Sequence, residues 1–489
     1  MQVIVRQAKR VEVIRRAHDA FLERYTSDFG VLDVAHVSGT PEDMGAQYGA
    51  LVGDRAKAIA GLLAGLFSQA GLPEALVHVL LDACWERLAP HVPERYLAEM
   101  RAIEAGAKSS GADLSFDDVK RILTMTNLDL YKREERLPEI LGIPPEELAA
   151  AMNQAHLACT MFAVWGSRTA DGKMFSLRNL DWVSQTGMHE YRLITVYQPQ
   201  DRHAFVSMGY AGVIGCLAGM NDQGITLSEV GAFSVREELD GMPWALMGRR
   251  VLEESGALED AQAIIERSAH TIGYNYLIAD GEPDAYGTPA FRPRAAAFET
   301  NSACCETFFE DDPKEHAATW TDAQGGEHYY GRPLREAVLR ADTAFGKQAR
   351  ALQAADDGPG DPANTGNPHG RDFSGSTYTT CHLPMHDMIR AYETGSEYVF
   401  PVRGTKPIEA GPPCKIGPEE ALTIAATVAH NTEMLPENDW NVMSIVYAPT
   451  DLEFWAAYET RHEDARWTNA PDSGYWRFSL RKLLEQDAQ

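Results

Sequence analysis

The stretch "HLACTMFAVWGSRTADGKMFSLRNLDW", His156 to Trp182, gathers side chains able to do chemistry: a thiol at Cys159, a guanidinium at Arg178 and a carboxylate at Asp181. Two apolar runs flank the turn sequence "RTADG", the pattern of a β-hairpin. With Arg168 to Gly172 as a five-residue loop, Ser167 pairs with Lys173 and Cys159 faces Asp181, the two Cβ atoms about 5 Å apart. Ideal alternation then sends Arg178 to the other face, and only a bulge or bend near Asn179 brings it to the thiol. A cysteine attacks as its thiolate and needs activation. One route is a histidine: His156 stands three residues before the thiol, and His270, His328 and His430 are the other candidates, but no papain-like or caspase-like signature surrounds Cys159. The other route is a cut before Cys159. The freed α-amine would titrate near ~8 and serve as the base beside its own thiol.

The elements that must position this hairpin fall into three zones. The first, to about residue 158, reads as helical. "SGTPEDMGAQYGALVGDRAKAIAGLLAGL" opens with Thr40 as N-cap, Pro41 at the first helical position and Asp43 in the first turn. Ser115 and Asp118 resemble a capping box, "PPEELAAAMNQA" reads as a further helix, and "EVIRRAHDAFLERY" as a charged, solvated helix face. From about Cys159 the chain is strand-rich: "KMFSLRNL", "YRLITVYQP", "HAFVSMGY", "GITLSEVGAF", "NYLIAD" and "AAAFETNS" are candidates, several apolar on both faces. "PWALMGRRVLEES" and "ALEDAQAIIERSA" are helical pieces among them. The third zone resumes helices at "REAVLRADTAF". A Gly/Pro/Asp/Asn-rich stretch at about 354–376 reads as a mobile surface loop, and a helix "PEEALTIAATVAHN" and a hairpin "NVMSIVYAPTDLEFWAAY" follow. This order suits packed antiparallel sheets with helical layers rather than a doubly wound fold.

Composition narrows the function. A formal net charge of −27 argues against a nucleic-acid partner and against docking on anionic membranes. No apolar run reaches the length of a membrane span, and the N-terminus lacks a signal-peptide core, so the expectation is a cytoplasmic protein. Seven scattered cysteines without a CxxC pair predict neither a disulfide framework nor a zinc site, and Cys304-Cys305 reads as two packed thiols.

Five segments occur in one family's order: "ACT" at 158–160, "DGK" at 171–173, "RNLDW" at 178–182, "GMNDQGITLSE" at 219–229 and "ETNS" at 299–302. With "SGTPEDMGAQYG" and "EAGAKSSGADLSFDDV" upstream, the chain resembles the isopenicillin-N acyltransferase-like family of autoproteolytic N-terminal-nucleophile cysteine hydrolases, and more distantly the choloylglycine (bile salt) hydrolases and penicillin V amidases. The resemblance covers residues 33 to 300. It implies an α+β fold, the four-layer αββα sandwich. It also implies that residues 1–158 are a helical pro-segment kept as a small subunit, with a catalytic domain over 159–489. Cys159 matches the nucleophile exposed by self-cleavage at Ala158-Cys159, and Arg178 and Asp181 match the pair contacting it. Asn301 matches an oxyanion donor and Arg332 a later supporting arginine. Departures stand beside these matches: Gly231 lies where the bile salt enzymes carry an asparagine, and "NSACC" lacks a histidine usual in the acyltransferase branch.

The implied function is hydrolysis of a small-molecule amide through a thioester acyl-enzyme, without metal or organic cofactor. Transfer of the acyl group from an amide or acyl-CoA to an amine is the alternative. A different class is a non-catalytic binding protein on the same scaffold. The retained N-terminal fragment is the expected partner, and a homo-oligomer is compatible with the sequence. Simpler roles are open for several residues: a structural ion pair for Arg178 and Asp181, a turn cap for Asn301, a surface position for Arg332. Glu229 is either a substrate-binding or a hydrogen-bonded core carboxylate, and Trp182 either walls an acyl pocket or packs in the core.

Overall fold

A computed structural model describes residues 3–28, 30–69, 73–127, 158–232, 234, 236–321, 326–353, 378–395, 397–399, 407–409, 414–429 and 439–486. The expected helix at "PPEELAAAMNQA", the whole 354–376 loop, and His156 and His430 lie outside these residues.

The N-terminal zone opens with strands, not helices. These are β1 (Val5–Arg6), β2 (Arg10–Ala17), β3 (Ala20–Ser27) and β4 (Gly30–Gly39). "EVIRRAHDAFLERY" is therefore the β2–β3 hairpin, turned at His18 in the left-handed region (φ 54°), and the charged-helix reading is corrected. Val11 and Val13 are exposed on the edge strand, and Arg15 pairs with Asp54 at 2.6 Å. Four helices follow: α1 (Pro41–Gln69), α2 (Glu74–Leu88), α3 (Glu94–Ser109) and α4 (Phe116–Met125). The caps are those the sequence predicts. Thr40 and Asp43 exchange backbone-to-side-chain hydrogen bonds (3.1 and 3.2 Å), and Ser115 with Asp118 forms a capping box. α1 meets α3 through Gly45, Gly49 and Gly53, one turn apart, and Gly106 faces them. A Cβ on Gly49 would lie 2.0 Å from the Ile103 carbonyl oxygen, so only glycine permits this approach.

The hairpin that opens the second zone consists of β5 (Ala158–Gly166) and β6 (Gly172–Val183). The strands β7 (Arg192–Pro199), β8 (Phe205–Tyr210), β9 (Ala218–Asn221), β10 (Ile225–Gly231), β11 (Tyr274–Asp280), β12 (Arg294–Asn301) and β13 (Cys304–Phe308) follow. Helices α5 (Trp244–Glu254) and α6 (Leu258–Arg267) lie between β10 and β11. In "GMNDQGITL", Asn221 accepts from the Gln223 and Ile225 N–H groups and donates to the Leu252 and Ser255 carbonyls, and Gly224 sits at φ 78° against Pro283. That motif fastens a turn to the end of α5; it carries no chemistry of its own.

Two large sheets result. One has ten strands in the order β13-β12-β11-β10-β9-β8-β7-β4-β3-β2, and β4 joins β7 in parallel. The other has seven. Its later members are Ala337–Arg340, Asp439–Ala448, Glu453–Tyr458 and Tyr475–Ser479, and β1 pairs with the last of these. The expected helix at "REAVLRADTAF" is thus corrected: Ala337–Arg340 is an edge strand on β5. Residues 5–39 belong to both sheets, so the part preceding residue 158 is not purely helical.

Met161, Ala163 and Met174 of one sheet interdigitate with Val230, Leu277, Ala279, Ala295 and Ala297 of the other. On the far side of the seven-stranded sheet, Phe162, Val164, Phe175 and Leu177 bury against α7 (Leu383–Thr394) and α8 (Pro418–Val428). α1, α5 and α6 cover the ten-stranded sheet, and α3 packs on α1. This is the four-layer αββα sandwich. Among the described residues no helix is long and apolar enough to cross a membrane.

Candidate active site

Cys159 is the second residue of β5, next to the edge strand Ala337–Arg340 of the seven-stranded sheet, and 4% exposed. The ladder runs one position away from the expected register. Cys159 faces Leu180, Met161 faces Arg178, and Ala158 faces Asp181. The cause is an irregularity between Val164 and Gly166 beside the turn, with Gly166 and Gly172 both at positive φ. The expectation that Cys159 faces Asp181 is therefore corrected. Arg178, two positions before Leu180, shares the face of Cys159 by simple alternation, and no bend near Asn179 is needed.

Arg178 is fully buried. Its Nη1 lies 3.6 Å from the Cys159 Sγ and its Nη2 donates to the Glu229 carboxylate. Glu229 itself is 3% exposed, so the guanidinium bridges thiol and carboxylate out of water. Asp181 is fully buried and accepts from the Asn441 side chain at 2.7 Å, across the neighbouring strand. Burial pushes the Cys159 thiol well above its ordinary pKa. Arg178 pulls it back, while Asp342, Glu229 and Asp181 push it further up. None of these charges is a histidine. His270 is half-buried beside Tyr276, its pKa lowered by desolvation to about 4. His328 lies on a separate two-stranded ribbon. Among the described residues no group of three or more His, Cys, Asp or Glu side chains is placed to hold a metal ion.

The other sequence candidates are spread around this centre. Asn301 ends β12 on the face of Ala295, Ala297 and Glu299, toward the space between the sheets. Its Oδ1 accepts from the Ala303 and Cys304 N–H groups (2.9 and 3.1 Å), so it caps the β12–β13 turn. Cys304 and Cys305 lie half-buried on β13. Trp182 packs at the rim of the main core opposite Trp440. Arg332 is exposed and is not brought to Cys159.

Sequence reasoning missed three buried groups. Asp342, 5% exposed, accepts from the Cys159 backbone N–H at 3.2 Å. Arg340 is fully buried between Glu299 (2.9 Å) and Glu315 (2.7 Å), its guanidinium 4.7 Å from the Phe308 ring centre. Asn441 holds Asp181. The signal lay in "AVLRAD", whose edge-strand pairing with β5 sets Arg340 opposite Met161 and carries Asp342 to Cys159.

Residues 167–307 match the family model described as acyl-coenzyme A:6-aminopenicillanic acid acyl-transferase. An uncharacterized protein of Archaeoglobus fulgidus is 28% identical over 260 residues, which take in 50% of this chain and 41% of that protein. The match thus spans less than half the length of that relative. Among solved structures the chain is similar to the Caenorhabditis elegans ortholog of N-acylethanolamine-hydrolyzing acid amidase (10% identity, 60% of this chain and 93% of that one, TM-score 0.36). It is also similar to a variant of the conjugated bile acid hydrolase of Clostridium perfringens (13%, 66% and 93%, TM-score 0.36). A third is the penicillin V acylase of Agrobacterium tumefaciens (11%, 61% and 83%, TM-score 0.35). Cys159 and Asp342 lie outside the matched span. Arg178, Asp181, Glu229 and Asn301 all fall within the residues that match the model of the acyl-coenzyme A:6-aminopenicillanic acid acyl-transferase family.

Proposed function

We propose that this chain is a self-cleaving N-terminal-nucleophile cysteine enzyme that breaks an amide bond in a small molecule. The observation that carries the reading is the bridge at the head of β5: a thiol 3.6 Å from a fully buried guanidinium, with its own backbone N–H on a carboxylate. In maturation the Cys159 sulfur attacks the Ala158 carbonyl carbon. The C–N bond breaks, the thiol proton passes to the departing nitrogen, and a thioester remains. Water then cleaves the thioester, leaving a carboxylate on Ala158 and a thiol and an α-amine on Cys159.

In turnover the α-amine takes the thiol proton as sulfur attacks the substrate carbonyl, then gives it to the leaving amine. Arg178 stabilises the thiolate, and Asp181, fixed by Asn441, orients the charges around it. Asn301, its amide oriented by the turn it caps, supplies an N–H to the developing oxyanion together with a backbone amide. Water attacking the acyl-enzyme gives hydrolysis. An amine attacking it gives acyl transfer, with acyl-CoA as an alternative donor, and the match to an acyl-transferase family model favours this second reading. The segment before residue 158 stays bound, because it supplies β2, β3 and β4 to the ten-stranded sheet.

Intact-mass measurement under denaturing, reducing conditions tests this. The expected result is two fragments meeting at Ala158/Cys159 in the wild type and one uncut chain for Cys159→Ala. An uncut wild type whose Cys159 resists iodoacetamide would overturn the proposal.

A further inference from the structure

Asp342 lies two residues beyond Arg340, and the pairing of Ala337–Arg340 with β5, continued by two residues, brings it opposite Cys159. The ladder would ordinarily offer the Cys159 N–H a backbone carbonyl. Here the acceptor is the Asp342 carboxylate, 3.2 Å away and 5% exposed. An ammonium at that nitrogen would pair with this buried carboxylate far more strongly than the neutral amide N–H does.

The segment carrying Asp342 is clamped from several sides. Asn275 donates to the Ala341 carbonyl at 2.8 Å, and Gln353 donates to the Asp342 carbonyl at 2.7 Å while accepting from the Ala344 N–H at 3.1 Å. Glu299 accepts from the Phe345 and Gly346 N–H groups and pairs with Arg340. Three side chains thus fix the short stretch that presents the Asp342 carboxylate to the Cys159 nitrogen. Such support is what a site held to sub-ångström tolerance requires.

We propose that Asp342 is the positioning residue that holds the α-amine of Cys159 once the Ala158-Cys159 bond is cut. The inference rests on the reading of Cys159 given above and adds the group that keeps its amine beside its own sulfur. The charged groups facing that position are Arg178 and Asp181 of β6, Glu229 of β10 and Asp342 itself. Arg178 donates to Glu229 and Asn441 donates to Asp181, while Asp342 is the carboxylate that accepts from the Cys159 nitrogen.

The test uses the processed full-length protein and its Asp342→Asn and Asp342→Glu variants. With the Cys159 thiol first capped by methyl methanethiosulfonate, the pH dependence of acetylation by acetic anhydride, read by mass on the fragment beginning at residue 159, reports its α-amine alone. Removing a carboxylate in contact with an ammonium lowers the midpoint by about 1–2 pH units in Asp342→Asn, and Asp342→Glu restores it. An unchanged midpoint in Asp342→Asn would overturn the assignment. Should Asp342→Asn fold but stay uncut, cutting restored in Asp342→Glu supports it, and cutting lost equally in both overturns it. A wild type that is itself uncut and unreactive at Cys159 would instead refute the nucleophile reading beneath it.

Discussion

Gly49 and Gly61 lie on the same helix, about three turns apart, and replacing each by alanine should move stability in opposite directions. In a helix interior, alanine is favoured over glycine by about 1 kcal/mol. At Gly61 nothing lies within 4 Å of the added Cβ, so that gain should appear almost undiminished. At Gly49 the Cβ would stand 2.0 Å from the Ile103 carbonyl oxygen and 2.8 Å from the Ala107 nitrogen, both backbone atoms of α3. The helices must part by roughly an ångström, and a gap of that size forfeits about a quarter to a half of each contact across it. Gly45, Gly53 and Gly106 share the crossing and would lose their contacts together. Overpacking of about 3–4 kcal/mol, less the propensity gain, leaves about 2–3 kcal/mol of destabilisation. In a chain this long a global melting temperature hardly responds to so small a change. Native-state hydrogen exchange of the α1 and α3 amides responds directly, and the expected effect is about thirty- to hundred-fold faster exchange in Gly49→Ala. Gly61→Ala should slow it by a few-fold. If Gly49→Ala exchanges no faster than the wild type, the close crossing of α1 and α3 is wrong.

Three further outcomes can be checked. Arg178→Met leaves Glu229 buried without its cation, which costs about 3–5 kcal/mol, and removes the charge that draws the thiol pKa down. Iodoacetamide labelling of Cys159 at pH 8 should slow by tenfold or more, and unchanged stability and labelling would contradict the bridge. Glu459, held by the Trp440 and Gln185 N–H groups, is pushed by burial up to about 7 from 4.5. Because its pKa is raised, ionisation opposes folding, and stability falls as pH rises from 4.5 through 7. Glu459→Gln should therefore gain about 2–3 kcal/mol at pH 8 and almost nothing at pH 4 by chemical denaturation, and an equal gain at both would refute the ionised-carboxylate account. If the chain is cut at 158/159, the fragments should co-elute on gel filtration in native buffer and separate only in denaturant. Arg249 with Glu99 (2.7 Å) and Tyr96 with Glu253 (2.8 Å) join α3 to α5 across the cut.

Local signals in the sequence were reliable where local physics decides. The Thr40/Asp43 and Ser115/Asp118 caps, the strands of the second zone and the hairpin at Cys159 are all legible in residue types and spacing. The hairpin register was not, because the irregularity at Val164/Gly166 depends on how the turn is seated, and one residue of slip exchanges Asp181 for Leu180 opposite the thiol. "RVEVIRRA" was misread because an edge strand with one wet face carries as much charge as a surface helix. "AVLR" consists largely of helix formers, and its place at the edge of β5 overrides that preference. Asp342 gains meaning only through that pairing, between residues 183 apart in sequence, which no local pattern reveals.

The parallel pairing of β4 with β7 ties residues on opposite sides of the 158/159 bond into one sheet, and β1 does the same in the other. These strands must be in register before the thiol meets Arg178, so the proposed cutting requires folding first. A molecule cut at that bond would be two interleaved chains that no longer share a covalent link. Unfolding it would lose an association that the precursor had within one chain, and refolding would depend on concentration where it had not before. Such a cut form would persist by the slowness of its unfolding, and if the chain is cut, a preparation once denatured and diluted should recover less activity the more dilute it is.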